Sequence, residues 1–268
     1  MKIANHQLAS GRTIRLGETP TQGRLYHDDR ISAEAEFRKL RDELIDWQRR
    51  LYAEDKNHIL IVLQAMDAGG KDGTIRKIFR GINPQGVQVN SFKVPSQEEL
   101  AHDYLWRIHK AVPKRGMIGV FNRSHYEDVL VVRVHNIVPE KVWRPRYEQI
   151  NNFEKLLTES GTSILKFYLH ISKSEQRDRF QARIDDPSKN WKFSFDDLEK
   201  RKLWDDYILA YEDALNKTTT AWAPWHIIPA DQKWCRNLAI MQIIVEKLRT
   251  LDPQYPKPEK DLFDTVIR

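Results

Sequence analysis

The chain has 268 residues, 40% of them hydrophobic and 31% charged, with 44 Lys and Arg against 38 Asp and Glu for a net charge of +6. That length supports one large domain with a substantial core. No apolar run approaches the ~20 residues of a membrane helix, MKIANHQLAS lacks the apolar stretch of a secretory signal, and the lone Cys235 rules out an internal disulfide and points to a reducing cytoplasm. The modest basic excess suits a polyanionic ligand without requiring one.

Residues 1 to about 30 mix Gly, Thr, Pro, Asp and Arg without periodicity and read as an irregular, mobile surface arm. From Ser32 a helix is expected, with Leu40, Leu44, Trp47 and Leu51 on one stripe. Ile59 to Leu63 is an unbroken apolar run, as in a strand buried on both faces of a parallel sheet. It breaks into Asp67, Ala68, Gly69, Gly70, Lys71, Asp72, Gly73 and Thr74, after which helical spacing resumes. Val87 to Phe92 reads as a second strand. A helix capped by Ser96, with Glu99 three positions on, runs through Leu105 and Ile108. Met117 to Phe121 is the third strand and Val129 to Val134 a helix. Pro139 opens a long helix to Gly161, and Ser163 to Leu169 is the fourth strand. Ser172 caps a helix carrying Arg177, Arg179 and Arg183. Another helix runs from about Phe195 to Lys217, Trp225 to Ile228 is a short strand, and a last helix spans Arg236 to Leu248. Strands alternating with helices predict a single doubly wound α/β domain over residues 1–268 with a central parallel sheet.

In such sheets ligands sit at the carboxyl ends of the strands. A strand, a glycine turn bearing Lys71 and a helix start make an anion cradle. The turn is not a strict G-x-x-x-x-G-K-[ST] match: Ala65 replaces the first glycine, and the hydroxyl arrives late, at Thr74. Asp67 in the turn reads as a Mg²⁺ ligand or as a turn-forming residue. The third strand delivers Asn122, Arg123, Glu127 and Asp128. Arg123 presents a planar fork suited to phosphate oxygens, and the two acids are either ligands or helix-start residues favoured by the dipole. Arg179 and Arg183 lie four apart without acidic partners at that spacing, so an anion is expected between them. Lys189 and Lys192 extend this basic stretch into a lid, where Trp191 and Phe193 anchor the segment or stack a base. No His/Cys metal cluster, H-E-x-x-H or G-x-S-x-G occurs.

The blocks AMDAGGKDGTIRKIF, GINPQGV, SFKVPSQEEL, HDYLWRIHK, GVFNRSHYEDVLVVRV, RFQARIDDPSKNWKFSFDDL and WHIIPADQKWCRN, spread over residues 30 to 255, resemble the polyphosphate kinase 2 family. The resemblance implies a thymidylate-kinase-like P-loop fold, three-layered, with a helical lid over about 177–200. It also implies Mg²⁺-dependent phosphoryl transfer between inorganic polyphosphate and nucleotides, with Mn²⁺ an alternative ion. By that likeness Asp67 and Lys71 are the Walker A acid and lysine, Asn122 and Arg123 the Walker B pair, and Arg179 and Arg183 lid residues. Many members carry Asp where Asn122 stands. The FNRSHYEDV form resembles the subgroup that phosphorylates both nucleoside mono- and diphosphates, with Glu127 the compensating metal ligand.

The expected catalytic set is therefore Asp67, Lys71, Asn122, Arg123, Glu127 and Arg183, with the metal on Asp67 and Glu127. Polyphosphate is expected along Gly69 to Thr74, Arg123, Arg179, Arg183, Lys189 and Lys192, extended by Lys114 and Arg115. Asn83, Lys93 and Arg133 are the candidate nucleotide contacts. The partners expected are polyphosphate, AMP, ADP or other purine nucleotides and further copies of the chain in a homodimer or homotetramer, with neither nucleic acid nor membrane. The rival readings are an ATP-dependent nucleoside monophosphate kinase and a non-enzymatic polyanion binder.

Overall fold

A computed structural model of the chain describes residues 6–27 and 29–258. Five strands, β1 (His58–Ala65), β2 (Val87–Ser91), β3 (Ile118–Asn122), β4 (Thr162–His170) and β5 (Trp225–Pro229), form one sheet in the order β2-β3-β1-β4-β5. Every neighbouring pair is parallel, with Leu60 opposite Gly119 on one side and Ile164 on the other. β1 is buried along its whole length, as an unbroken apolar run requires when helices cover both faces.

Eleven α-helices are present among the described residues: α1 (Arg30–Glu54), α2 (Lys71–Ile78), α3 (Gln97–Leu100), α4 (Trp106–Ala111), α5 (Val131–Val134), α6 (Glu140–Trp143), α7 (Arg146–Glu159), α8 (Lys173–Ile184), α9 (Phe195–Lys202), α10 (Trp204–Thr218) and α11 (Lys233–Leu251). One group packs α11 on α1, α2, β4 and β5; the other packs α7 on β4 and α10, and α10 on α5 and α9. Together they bury both sides of the central strands in a three-layer α/β arrangement with one continuous hydrophobic cluster.

Several predicted boundaries move. α1 starts at Arg30, because Asp29 accepts from the N–H groups of Ile31 and Ser32 and caps the helix two residues earlier. The helix begun by Ser96 breaks after Leu100, where Asp103 accepts from Leu105 N and opens a new turn. The long helix from Pro139 divides at Pro145, which has no N–H to continue the ladder. The helix expected over Phe195 to Lys217 divides at Leu203: α9 buries no residue, whereas α10 buries Trp204, Tyr207 and Tyr211. The last helix starts at Lys233, one turn before Arg236.

The arm is tied down from residue 6 onward. Leu8 N donates to Trp225 O at 2.8 Å and Ile227 N to His6 O at 2.8 Å, so the arm lies antiparallel along β5, and Leu8 and Leu16 are buried. Residues 1–5 and 259–268 lie outside the described residues.

β4 carries one charge into the core. Lys166 is fully buried, and its Nζ spends all three protons, on Glu154 Oε2 at 2.6 Å, Tyr126 Oη at 2.9 Å and Thr218 O at 2.7 Å. Tyr126 Oη donates to Glu154 Oε1 at 2.8 Å, and His125 Nε2 lies 3.2 Å from the same oxygen. Removing one partner of a buried pair leaves the other charge alone and costs about 3–5 kcal/mol. Lys166→Met is therefore expected to lower the urea midpoint sharply, and adding Glu154→Gln to recover part of the loss. A single variant as stable as the parent contradicts the pairing.

Candidate active site

Because the strands are parallel, their carboxyl ends share one edge of the sheet. Lys93 follows β2, Asn122 and Arg123 close β3, the glycine turn follows β1, α8 follows β4 and α11 follows β5. A cleft of ≈ 900 Å³ opens along this edge. Ten cationic side chains line it against five acidic ones, an excess that favours a polyanion over a neutral or cationic ligand.

The glycine turn forms the floor. Ala68 and Gly70 are left-handed, at φ +59 and +101, and at Gly70 only glycine fits: an added Cβ would lie 2.0 Å from Arg236 Nη1. α2 begins at Lys71, earlier than the resumed spacing suggests, and no side chain caps it, which leaves its first N–H groups for an anion. Lys71 Nζ donates to Ala65 O at 2.9 Å, a carbonyl that also accepts from Tyr211 Oη at 3.0 Å. Burial, helped by Arg123, pushes the Lys71 ammonium down to about 8, against the pull of Asp67, Glu127 and Asp72.

Beside the turn, Arg123 is held left-handed at φ +62, its N–H on Leu63 O at 3.1 Å, a strained conformation of the kind that clusters at functional sites. Its Nη2 lies 2.9 Å from Asp67 Oδ1. Burial disfavours its charge, but Glu127 and Asp67 outweigh that and raise its pKa. Asn122 Nδ2 donates to Asp72 Oδ1 at 2.7 Å and Gln64 Nε2 to Glu127 Oε1 at 3.1 Å.

A second cavity of ≈ 310 Å³ shares Asp67, Arg123 and Asp197 with the cleft and adds Glu127, His135, Tyr207 and Tyr211. Glu127 sits in a 3₁₀ turn, His125–Asp128, and not at a helix start. Its neighbour Asp128 is taken by Arg146, at 3.1 Å. Among the described residues no three His, Cys, Asp or Glu groups converge to hold an ion unaided. Asp67 and Glu127 still suit a hard cation: among the described residues each engages one carboxylate oxygen and leaves the other without a hydrogen bond, and the buried Gln64 Oε1 beside Glu127 has no partner there.

The lid departs from expectation at Arg179. It has an acidic partner, Glu175 one turn before it, at 2.7 Å. Its guanidinium is buried and spent on four carbonyls, Ala68 and Gly69 at 3.0 Å each, Ala230 at 2.6 Å and Asp231 at 3.2 Å. Arg179 therefore clamps the glycine turn to the end of β5, and the anion expected between it and Arg183 is not needed to relieve repulsion. Arg183 reaches Lys192 O at 3.0 Å and Asp197 at 3.5 Å. Lys189, paired with Asp186, and Lys192 line the cleft. Phe193 packs on Phe180, whereas Trp191 is 78% exposed.

Gly69, Gly70, Asp72, Gly73 and Lys93 also line the cleft. Other candidates do not reach it. Thr74 is buried and lines neither cavity. Asn83 caps its own turn by accepting from Gln85 N, past the far end of α2. Arg133 is consumed by Asp213 at 2.6 Å and Tyr147 at 3.3 Å. Lys114 and Arg115 precede β3 and so lie at the amino edge of the sheet. Conversely, Arg76, Lys233 and Arg236 line the cleft and are absent from the expected set. The signal was available for the last two, since they follow the end of a strand.

Residues 27–256 match the family model described as Polyphosphate kinase 2. The chain is 59% identical over 220 residues to the AMP/ADP-polyphosphate phosphotransferase of Meiothermus ruber, covering 82% of each protein. It is 46% identical over 271 residues to the ADP-polyphosphate phosphotransferase of Rhodopseudomonas palustris, covering 96% of this chain and 94% of that one. The crystal structure of polyphosphate kinase 2 from Arthrobacter aurescens TC1 superposes with a TM-score of 0.90 at 44% identity, over 95% of this chain and 91% of that one. With its glycine turn, its basic cleft and a match over nearly its whole length, the chain belongs to the polyphosphate kinase 2 family.

Proposed function

We propose that the chain is a Mg²⁺-dependent phosphotransferase that reversibly moves the terminal phosphoryl group of inorganic polyphosphate to nucleoside mono- and diphosphates. The cationic excess of the cleft, gathered around the uncapped start of α2, carries this reading. The donor lies along the glycine turn, with Lys71 and Arg123 at its reacting end and Arg183, Lys189 and Lys192 closing from the lid. The acceptor enters from the second cavity, which meets the cleft at Asp67, Arg123 and Asp197. An acceptor phosphate oxygen attacks the terminal phosphorus in line. The bond to the bridging oxygen breaks, and the shortened polyphosphate leaves with that electron pair. The acceptor oxygen is already anionic, so no general base is required. Lys71 and Arg123 stabilise charge on the phosphoryl oxygens, and Asp67 holds the Arg123 fork in place. Asp67 and Glu127 would hold Mg²⁺ or Mn²⁺, which when bound would neutralise further phosphate charge. We propose further that copies of the chain assemble as a homodimer or homotetramer.

The direct test is purified protein with polyphosphate, AMP and Mg²⁺ but no ATP. ADP and then ATP are expected as products. Product only when ATP is added identifies an ATP-dependent kinase, and salt-sensitive binding without product identifies a polyanion binder.

Two further outcomes follow from the site. The Lys71 charge is present below about pH 8 and lost above it in the free protein, so kcat/KM for polyphosphate, which reports free-enzyme groups, is expected to fall above pH 8. At saturation kcat falls only at higher pH, because bound anion restores the ammonium. A flat kcat/KM profile to pH 9.5 contradicts the lowered ionisation of Lys71 in the free protein. Glu127→Gln keeps the side-chain shape but loses the anion, and is expected to raise the Mg²⁺ concentration for half activity. An unchanged titration leaves Glu127 a partner of Gln64 only.

A further inference from the structure

We infer that Thr21, in the amino-terminal arm, and Asp231, just past β5, are positioning residues: together they fix the start of α8 and, through it, the glycine turn. Their part in turnover rests on the polyphosphate reading above, in which the donor phosphates lie along this turn.

The Asp231 carboxylate spends its two oxygens on different parts of the chain. Oδ1 accepts from Ser172 N at 2.8 Å and Oδ2 from Thr21 Oγ1 at 2.6 Å. The backbones pair as well, Asp231 N donating to Thr21 O at 3.1 Å. Ser172 is the N-cap of α8, its Oγ accepting from Glu175 N at 3.1 Å, so Asp231 sets where that helix leaves the sheet. The arm is tied to the same edge on either side of Thr21. His170 Nε2 lies 3.0 Å from Leu16 O and 3.2 Å from Thr19 O, and Gly23 N donates to Gln232 Oε1 at 2.8 Å. A cavity of ≈ 540 Å³ separates the arm from the two roots of the lid, with Thr21, Ser172 and Trp204 on its walls. Packing therefore does little to hold Thr21 against α8, and the carboxylate between them carries the link.

α8 in turn holds three successive carbonyls of the glycine turn, Gln176 Nε2 donating to Asp67 O at 2.9 Å and Arg179 Nη1 to Ala68 O and Gly69 O at 3.0 Å each. Arg179 Nη2 reaches back to Asp231 O at 3.2 Å. Ala68 is left-handed without being glycine, a conformation that persists only where the surroundings over-determine it. Thr21 and Asp231 line neither the cleft nor the second cavity, so their effect on turnover passes through α8. Chemistry depends steeply on such placement: a shift of about 1 Å can cost about 100-fold in rate.

The test compares the full chain with Thr21→Val, Thr21→Ser, Asp231→Ala and Asp231→Asn. Amide hydrogen exchange over residues 67–74 is read without ligand. Melting temperature, kcat and KM for AMP are measured beside it, with long-chain polyphosphate as donor. Thr21→Val loses the hydroxyl but keeps the side-chain shape and the backbone pair with Asp231. It is expected to speed exchange in the turn and to lower kcat about 3- to 10-fold, with KM for AMP nearly unchanged. Asp231→Ala should lose more, and where it does not fold Thr21→Val decides. Thr21→Ser restores the hydroxyl, and Asp231→Asn offers an amide oxygen to Ser172 N and an amide N–H to Thr21 Oγ1, so both should stay close to the parent. Parental exchange and kcat in Thr21→Val, with only the melting temperature lowered, overturn the positioning role and leave the arm a structural tie. A loss in Asp231→Asn equal to that in Asp231→Ala overturns it too, because charge and not hydrogen bonding then matters. If the parent turns over polyphosphate but exchange and kcat are parental in every variant, the positioning role falls and the function stands. Faster exchange in Thr21→Val of a parent that makes no ADP supports the hold on the turn and sinks the function.

Discussion

The cleft is governed by one electrostatic constraint: a parallel sheet brings more cations than acids to its carboxyl edge, and nearly every acid there is already engaged. Asp67 holds Arg123, Asp72 holds Asn122, Glu175 holds Arg179 and Asp197 faces Arg183. Lys71 and Arg236 are left with carbonyls and an amide. Burial first, and the neighbouring Arg123 and Arg179 respectively after it, lower the ionisation of these two groups. A chain of phosphates supplies what the protein withholds, so binding and charge relief are the same event.

Holding such a site in shape takes buried structure that never touches a ligand. Arg179 and Gln176, both on α8, fasten the glycine turn through Ala68, Gly69 and Asp67 carbonyls. Ala68 and Arg123 are kept left-handed by these anchors and by β1. On the other side of the β3 loop, His125 and Tyr126 run into the Lys166–Glu154 pair, so the segment from Arg123 to Glu127 is pinned at one end by the glycine turn and at the other by the core. Rigid supports of this kind suit phosphoryl transfer, where positioning supplies much of the rate.

The sequence announces what is local and hides what is long-range. β1, its glycine turn and the parallel alternation are readable because apolar runs and glycine turns follow from local rules. Pro145, which has no N–H to continue a helix, is an equally local signal. So is Glu175, one turn from Arg179, whose presence undoes the argument that two bare arginines must share an anion. Arg179 itself could not be placed by spacing, since its partners Ala68 and Ala230 lie far along the chain and offer only backbone oxygens. Lys166 sits in a strand among Ile164, Leu165 and Phe167, and only the fold brings Glu154 to it. Burial likewise separates Arg236 from the many exposed arginines; no pattern in WHIIPADQKWCRN distinguishes it.

One polyanion is expected to satisfy the cationic edge of the cleft. The most direct measurement is a crystal structure of the protein soaked with a non-hydrolysable polyphosphate analogue. Continuous phosphate density is expected from Lys71 and Arg123 over the uncapped start of α2. Density confined to the second cavity or to the lid lysines would contradict it.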